Sequence, residues 1–169
     1  MLNLIGLSST SVLGNLYKAS RDGFEASKFH SICDNILGTL TIIKTSNGNI
    51  FGGFTTENWS SYYNYKTDPG AFIFSLINKY NFPVKLNNTN GGSNAIYSNP
   101  YYGPTFGYGH DFRISDQSNI NINSYSNLGY SYQLPFTNFT QWSTAAKSFL
   151  AGSYNFQTLE IEVYSIDGN

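Results

Sequence analysis

Residues 38–54, which read GTLTIIKTSNGNIFGGF, decide the fold class of this chain. The first half is rich in β-branched side chains in a largely alternating pattern, and an extended pattern resumes after the dipeptide Asn47-Gly48. Asn-Gly favours the two-residue turn of a β-hairpin, because both central positions of that turn need a positive φ. The stretch therefore predicts an antiparallel hairpin.

Other segments extend this β prediction along the chain. Residues 71–77 form a nearly continuous apolar run after the turn Asp68-Pro69-Gly70, and the run is too short for a good helix. Such a run is typical of a strand that is buried on both faces, so we expect it near the centre of the structure. The remaining strand candidates are residues 83–86, 95–98, 105–114, 130–134 and 156–166.

Two segments have helical character. In residues 22–36, Asp22 and Glu25 have the spacing of an N-cap and its partner, ahead of apolar residues at helical spacing: Phe29, Ile32, Cys33 and Ile36. Residues 144–150 could form one or two turns. The patterns together predict one mainly β domain with two short flanking helices.

Composition excludes several classes of protein. The chain has 169 residues, 40% of them apolar and 11% charged, and this length allows roughly 70% of the surface to be buried. Nine basic and ten acidic side chains give a net charge near zero, which creates no positive electrostatic potential that would attract a polyanion. We therefore expect no nucleic-acid partner. The sequence has no run of ~18 apolar residues that would predict a membrane-spanning helix, and we expect no secretory leader.

The single cysteine, Cys33, cannot form an internal disulfide, which favours a reducing compartment. Glycosylation triplets begin at Asn58, Asn87 and Asn138 and would matter only in a secreted protein. Triplets of this kind arise by chance in a chain rich in Asn, Ser and Thr, so we expect them to be unused. We expect a cytoplasmic location.

Complete catalytic motifs are missing from the sequence. There is no nucleophile elbow, no zinc-protease motif, no phosphate loop and no cysteine pair for zinc. Gly107-Tyr108-Gly109 matches the first part of the Gly-x-Gly-x-x-Gly motif of dinucleotide-binding proteins, but Phe112 occupies the position of the third glycine. We interpret these two glycines as a bend or as a place where an aromatic ring approaches closely.

The two histidines restrict any acid-base proposal. His30 lies on the predicted helix, where we expect a surface or boundary residue. His110 and Asp111 could form an oriented imidazole-carboxylate pair, but neighbours on a strand face opposite ways, which favours structural hydrogen bonding.

Three other groups could carry chemistry. Cys33 falls on the apolar stripe of the helix, where a thiol is usually buried and its pKa is raised. Glu160 and Glu162 share one strand face ~6.6 Å apart, close enough to hold a cation or to catalyse acid-base chemistry. The competing interpretation of this pair is two solvated charges on an outward face.

Ordered sequence blocks from about residue 16 to the C-terminus resemble the TLDc domain family, the oxidation-resistance type of domain. The blocks are LYKASRDGF (16–24), FH (29–30), CD (33–34), TLTIIKT (39–45), IFGGF (50–54), Trp59, AFIFSL (71–76), GPTFGYGHD (103–111), SYNF (153–156) and LEIEVY (159–164). Residues 1–15 would then be an N-terminal extension or a truncated first element, followed by the domain in residues 16–169.

The resemblance implies a two-sheet antiparallel β-sandwich that acts as a non-enzymatic interaction module. It also implies a link to oxidative-stress resistance and a protein partner, the vacuolar proton-pumping ATPase. The domain would meet this partner at the cytosolic face of endomembranes and would not insert into the membrane itself. No cofactor or metal is implied. The family's hallmark positions fall here on Ser20, Asp22, Gly23, Gly52, Gly53, His110, Asp111, Glu160 and Glu162.

Two stretches suit a docking role, residues 62–65 (YYNY) and 100–103 (PYYG), because tyrosine supplies contact area at little entropic cost. Ordinary loop packing is the competing interpretation of both stretches. Two alternative functions remain open: a hydrolase or peroxide-handling enzyme that uses Glu160 and Glu162 or Cys33, and an extracellular carbohydrate-binding sandwich.

Overall fold

Twelve strands and three short helices form in the part of the chain that the computed structural model describes, Gly6 and residues 12–167. The strands are β1 (Val12–Lys18), β2 (Thr39–Thr45), β3 (Ile50–Thr55), β4 (Asn64–Lys66), β5 (Phe72–Ile77), β6 (Val84–Asn87), β7 (Ile96–Ser98), β8 (Tyr102–Phe106), β9 (Phe112–Ser115), β10 (Ser124–Ser126), β11 (Asn155–Phe156) and β12 (Thr158–Asp167). The helices are α1 (Ala19–Asp22), α2 (Ala26–Cys33) and α3 (Thr144–Ser148).

The strands build two antiparallel sheets of six strands each. Sheet 1 has the order β1-β12-β2-β3-β5-β6, and sheet 2 has the order β11-β10-β9-β8-β7-β4. The predicted class, a mainly β two-sheet sandwich, is therefore confirmed. Three helices flank it instead of the expected two. No helix in the described residues is long and apolar enough to cross a membrane.

The predicted hairpin lies at the middle of sheet 1, but its turn is longer than two residues. β2 ends at Thr45, β3 begins at Ile50, and of the Asn47-Gly48 pair only Gly48 has a positive φ, 91°. β2 and β3 pair with Leu40 opposite Phe54 and Lys44 opposite Ile50. Phe51 of β3 points between the sheets, where its ring meets the Phe112 ring of sheet 2 edge to face at 5.3 Å. Pairs of this geometry contribute energy beyond the area that they bury, so the hairpin fixes how the two sheets face each other.

Two adjacent glycines of β3 allow the packing on both faces of sheet 1. A Cβ at Gly53 would lie 2.6 Å from the Phe106 ring of sheet 2, and a Cβ at Gly52 would overlap the carbonyl oxygen of Thr41. Neither position has room for a side chain. The Gly52-Gly53 pair, a predicted hallmark, is therefore required by close packing.

The helix predicted over residues 22–36 is wrong in its extent. The chain forms α1, turns at Gly23 (φ 109°), and starts α2 only at Ala26. Asp22 does not cap α2, because its Oδ2 accepts the Lys18 backbone N–H at 2.9 Å. The backbone N–H of Ala26 donates instead to Asp116 at 2.7 Å, a residue too far along the sequence for a local pattern to predict.

Two strand predictions also need correction. Residues 105–114 are interrupted by a turn at 107–111, because Gly107, Gly109 and His110 all adopt positive φ. Residues 130–134 form no strand and contribute one isolated bridge, from Tyr132 to Asn88.

The strand predicted over residues 71–77 forms as β5. It is buried over its first four residues as expected, but it lies one strand in from the edge of sheet 1.

The N-terminal prediction concerns residues that are only partly described. Residues 1–5 and 7–11 of the expected extension lie outside the described residues. β1 begins at Val12, so residues 12–15 belong to the first strand of sheet 1.

Candidate functional site

The predicted hallmark residues fall in three separate places. One group surrounds α1 and consists of Ser20, Asp22, Gly23, Glu160 and Glu162. Gly52 and Gly53 lie between the sheets, as described above. His110 and Asp111 occupy the turn between β8 and β9.

The acidic pair beside α1 is already occupied by a lysine. Lys18 Nζ lies 2.8 Å from Glu162 Oε1 and 3.8 Å from Glu160 Oε2. Tyr164 OH donates to the other Glu162 oxygen at 2.7 Å. The Lys18 hydrogen bond holds the pKa of the Glu162 carboxyl below its usual range. Glu162 therefore stays ionised, whereas a general acid needs a raised pKa.

The rest of this group fixes the corner between β1 and α1. The backbone N–H of Ser20 donates to Glu160 Oε1 at 3.0 Å. Arg21 donates from Nε and Nη2 to the two Asp22 oxygens, each at 2.8 Å. The carbonyl oxygen of Gly23 accepts the hydroxyl of Tyr17 at 2.7 Å. The Ser20 contact ties this corner to β12, and the other contacts hold residues 17–23 in shape, which gives the hallmark residues a structural role.

Asp111 is fully buried and surrounded by backbone donors. Its carboxyl oxygens accept the N–H groups of Gly129, Tyr130 and Ser131 at 2.8, 3.1 and 2.9 Å. Burial raises the pKa of the Asp111 carboxyl to about 7, while these donors favour its ionised form. A side chain at Gly107 would overlap the carboxyl group. Asp111 thus pins residues 129–131 to the β8–β9 turn.

His110 makes a different set of contacts from its neighbour Asp111. Its Nδ1 lies 2.7 Å from Tyr125 OH, and its ring stacks on Tyr97 at 5.2 Å between centroids. Burial, with a smaller effect from Arg113, lowers the pKa of His110 to about 4, so the imidazole is neutral at physiological pH. The expectation of structural hydrogen bonding is confirmed. The two residues lie in a turn, however, and not on a strand.

The expectation of a surface or boundary position for His30 is wrong, because this residue is only 5% exposed. Nδ1 lies 2.7 Å from Asp34 Oδ1, and Nε2 lies 2.8 Å from the carbonyl oxygen of Asn99. The spacing of His30 and Asp34, four residues apart around the end of a helix, is the signal that could have predicted this contact.

Cys33 is buried, and burial raises the pKa of its thiol to about 12. It has little thiolate character at neutral pH, as the sequence predicted. Within Gly6 and residues 12–167, no group of three or more His, Cys, Asp or Glu side chains could hold a metal ion.

The outer face of sheet 2 carries a continuous row of aromatic side chains. Phe112 and Ile114 of β9 point into the core, so Arg113 between them points outward, beside its cross-strand neighbour Tyr125. Tyr65 and Tyr97 are paired in the same way, with ring centroids 4.5 Å apart. We call this row the tyrosine face: Tyr65, Tyr97, Tyr102, Tyr108, His110, Arg113, Tyr125 and Tyr154.

Short ring-to-ring distances link the members of the tyrosine face. The His110 ring lies 6.0 Å from the Tyr125 ring, and the Tyr125 ring lies 5.6 Å from that of Tyr154. Beyond one edge, the rings of Tyr63 and Tyr101 approach to 6.3 Å and are 62% and 68% exposed. The face is a broad surface of aromatic rings and hydroxyl groups held on strands.

Sequence reasoning found His110 and the rim of this face, together with two of its tyrosines. The YYNY and PYYG stretches supply Tyr63, Tyr65, Tyr101 and Tyr102. It missed Tyr97, Tyr125, Tyr154 and Arg113, which come from strands and turns far apart in the sequence. A usable signal exists in Ile96-Tyr97-Ser98 and Ser124-Tyr125-Ser126, where an outward tyrosine stands between buried residues.

These features define a two-sheet β-sandwich domain with a central glycine pair and an aromatic outer face. Comparison with protein-family models matches residues 5–167 to the TLDc domain, nearly the whole chain. The chain therefore belongs to the TLDc family, an oxidation-resistance type of domain. A search of curated proteins finds no match to this sequence.

Proposed function

We propose that this TLDc domain is a non-enzymatic protein-interaction module whose docking surface is the tyrosine face. The observation that carries the proposal is the continuous aromatic row across sheet 2 with its exposed rim of Tyr63 and Tyr101. Tyrosine and arginine are enriched where proteins meet, and the fully buried centres of interfaces are depleted of other charged groups.

The face is also rigid, which lowers the entropic cost of binding. On the inner side of sheet 2, the rings of Phe106 and Phe112 are buried and stacked 4.9 Å apart. Hydrogen bonds between side chains, such as the one that joins Tyr125 and His110, hold the outer rings in place. A partner would therefore meet a preformed surface.

The vacuolar proton-pumping ATPase is our candidate partner, with a cytoplasmic location and a role in oxidative-stress resistance. Membership of the family supports this choice, as do the near-neutral charge of the chain and its single buried cysteine. The soluble sector of the pump is the part to test, because a cytosolic domain would meet that sector.

The enzyme alternative receives less support from the geometry. Glu160 and Glu162 are bridged by Lys18, and Cys33 is buried with a raised pKa. A peroxide-handling enzyme that uses Cys33 would lose its activity in Cys33→Ser. We expect equal and negligible peroxide consumption by the wild type and this variant.

Carbohydrate binding is the second candidate function. A groove of about 610 Å³ beside the tyrosine face combines the rings of Tyr101 and Tyr102 with the amide-bearing residues Asn121 and Asn123. Concave sites with aromatic walls and a few polar groups also suit small polar ligands. A glycan array separates the two candidates, because an interaction module gives no saccharide signal.

The proposal is tested by binding the purified chain to the isolated soluble sector of the ATPase. The variant Tyr63→Ser/Tyr101→Ser changes two exposed rings and should weaken binding at least tenfold, since tyrosines are common interface hot spots. The control is Leu37→Ser, another exposed apolar residue, which should leave affinity within about twofold. Equal affinity of wild type and double variant, or no binding by the wild type, would overturn the proposal.

A further inference from the structure

Arg113 is a partly buried charge that lacks an acidic partner. Its guanidinium carbon lies 4.4 Å from the centroid of the Tyr102 ring and 4.6 Å from that of Tyr125. Nη2 donates to the carbonyl oxygen of Asn123 at 3.1 Å, while Nε is buried with no hydrogen-bond partner. Within residues 12–167, no carboxylate oxygen lies within 4 Å of this guanidinium.

The other arginine of the chain provides an internal reference. Arg21 is more exposed, yet it holds both oxygens of Asp22 and also donates to Asn15 Oδ1 at 3.0 Å and to the carbonyl oxygen of Leu16. Arginines are almost never fully buried unless they are paired, and a buried guanidinium nitrogen normally has a hydrogen-bond partner. Arg113 departs from this rule although it is the less exposed of the two, so its missing partner needs an explanation.

The groove described above opens beside Arg113. Its walls include Tyr101, Tyr102 and Tyr125, and the Asn121 side chain holds the loop on its far side by donating to the carbonyl oxygens of Asp116 and Gln117. The Asp116 carboxylate also lines the groove, but one of its oxygens accepts the Ala26 backbone N–H at 2.7 Å. The groove thus has space, aromatic walls and one available guanidinium.

We propose that Arg113 and this groove bind a single carboxylate, an Asp or Glu side chain in an otherwise uncharged segment of a partner protein. The site rests on the proposed function, in which the tyrosine face docks a protein. A planar guanidinium can bind a carboxylate through two parallel hydrogen bonds, and in Arg113 the Nη1–Nη2 end is the one left for a ligand, because Nε is buried. The tyrosine rings pack against the uncharged residues on either side of the carboxylate.

Charge balance favours a carboxylate over a phosphate group. Arg113 supplies one positive charge, and its neighbour His110 is neutral near pH 7. A phosphate group carries a charge of about −1.5 to −2 at that pH, so it would leave negative charge uncompensated on the face. The Asp116 carboxylate also lines the groove, so a ligand that adds only one negative charge suits the single guanidinium better than a phosphate group does.

The arginine signals of a nitrogen-15 NMR spectrum test this site directly. The chain contains two arginines, so two Nε–H signals are expected, one each from Arg21 and Arg113. The probes are three peptides, acetyl-Tyr-Glu-Tyr-amide, its glutamine counterpart and its phosphoserine counterpart, together with maltohexaose as a neutral saccharide. We expect the glutamate peptide to move the Arg113 signal and leave the Arg21 signal in place.

Affinity should also depend on the carboxylate. The glutamine peptide should bind about tenfold more weakly, the effect of one charge-assisted hydrogen-bonded pair. Arg113→Gln should remove this preference, while the matched variant Arg21→Gln should keep it. Arg113→Lys retains the positive charge but lacks the planar guanidinium group. Its preference for the glutamate peptide should lie between that of the wild type and that of Arg113→Gln.

The outcomes separate this inference from the proposed function. If the glutamate and glutamine peptides bind equally, or if the phosphoserine peptide binds best, the carboxylate site is wrong and the docking face stands. If only maltohexaose shifts tyrosine-face signals, both the site and the protein-docking function fail. If no probe moves the Arg113 signal, or if Arg113→Gln keeps the preference for glutamate, the carboxylate site is also wrong.

Discussion

Two charged residues two positions apart, Asp111 and Arg113, lie in opposite surroundings. Asp111 is fully buried in the β8–β9 turn, with three backbone N–H groups on its carboxyl oxygens. Arg113 lies on the tyrosine face with one hydrogen bond, to a backbone carbonyl. Asp111 receives all its hydrogen bonds from backbone groups and stabilises the fold, whereas Arg113 contacts two tyrosine rings and one carbonyl but has no ion-pair partner within residues 12–167.

The largest expected effect comes from the enclosed charge. Asp111→Ala would leave three N–H groups in the protein interior without acceptors, and should lower the free energy of unfolding by about 4 kcal/mol. Urea denaturation measures this loss. The control is Asp116→Ala, which removes one hydrogen bond to the start of α2 from an exposed residue and should cost about 1 kcal/mol. Similar losses for both variants would contradict the structural role of Asp111.

A second variant tests the packing that supports both regions. Gly53→Ala would place a methyl group 2.6 Å from the Phe106 ring, which belongs to the strand beside β9. We expect a loss of about 2 kcal/mol in the free energy of unfolding, as for other overpacked cores. Gly70→Ala has ordinary φ and looser surroundings, so its loss in the same urea titration should stay below about 1 kcal/mol. Equal losses would show that the sheets can separate to accept the methyl group.

The pH dependence of stability tests how enclosed the tyrosine face is around His110. The pKa of His110 falls to about 4 on folding, so the unfolded chain binds the proton more readily. The stabilisation is therefore complete above the ordinary pKa of 6.5 and is lost as pH falls toward 4. Wild type should lose more stability than His110→Gln over this interval. Parallel pH profiles of the two proteins would contradict the burial of this imidazole.

The smallest effect on stability is expected at the open charge. Arg113→Gln breaks no ion pair within residues 12–167 but removes two cation–π contacts, so its free energy of unfolding should fall by about 1 kcal/mol. The same variant should lose the preference for the glutamate peptide. A large loss of stability, measured by urea denaturation, would place Arg113 among the structural residues with Asp111.

Local patterns predicted much of the scaffold. The Asn47-Gly48 turn and the alternation around it were sufficient for the central hairpin, because hairpin formation depends on neighbours in sequence. Local patterns did not predict that α2 starts at Ala26, because the acceptor for the backbone N–H of Ala26 is Asp116, which lies far along the sequence. Residues 105–114 were also predicted as one strand, because the alternating pattern does not reveal that Gly107, Gly109 and His110 adopt positive φ.

The candidate site was less predictable for a related physical reason. Tyrosine stretches identified Tyr63 and Tyr101, but the full face depends on the order of strands in sheet 2, which sequence spacing does not reveal. Arg113 stands out only when the absence of a carboxylate around it is known from three-dimensional structure. The acidic residue Glu162, prominent in sequence, forms an ion pair with Lys18.

The most direct measurement is backbone hydrogen exchange of the wild-type chain, alone and bound to the soluble sector of the vacuolar ATPase. Docking through sheet 2 predicts slower exchange in β7 to β10 and in residues 116–123, with little change in β2 and β3 of sheet 1. Protection confined to sheet 1, or unchanged exchange across sheet 2 in a stable complex, would contradict the assignment of the tyrosine face as the docking surface.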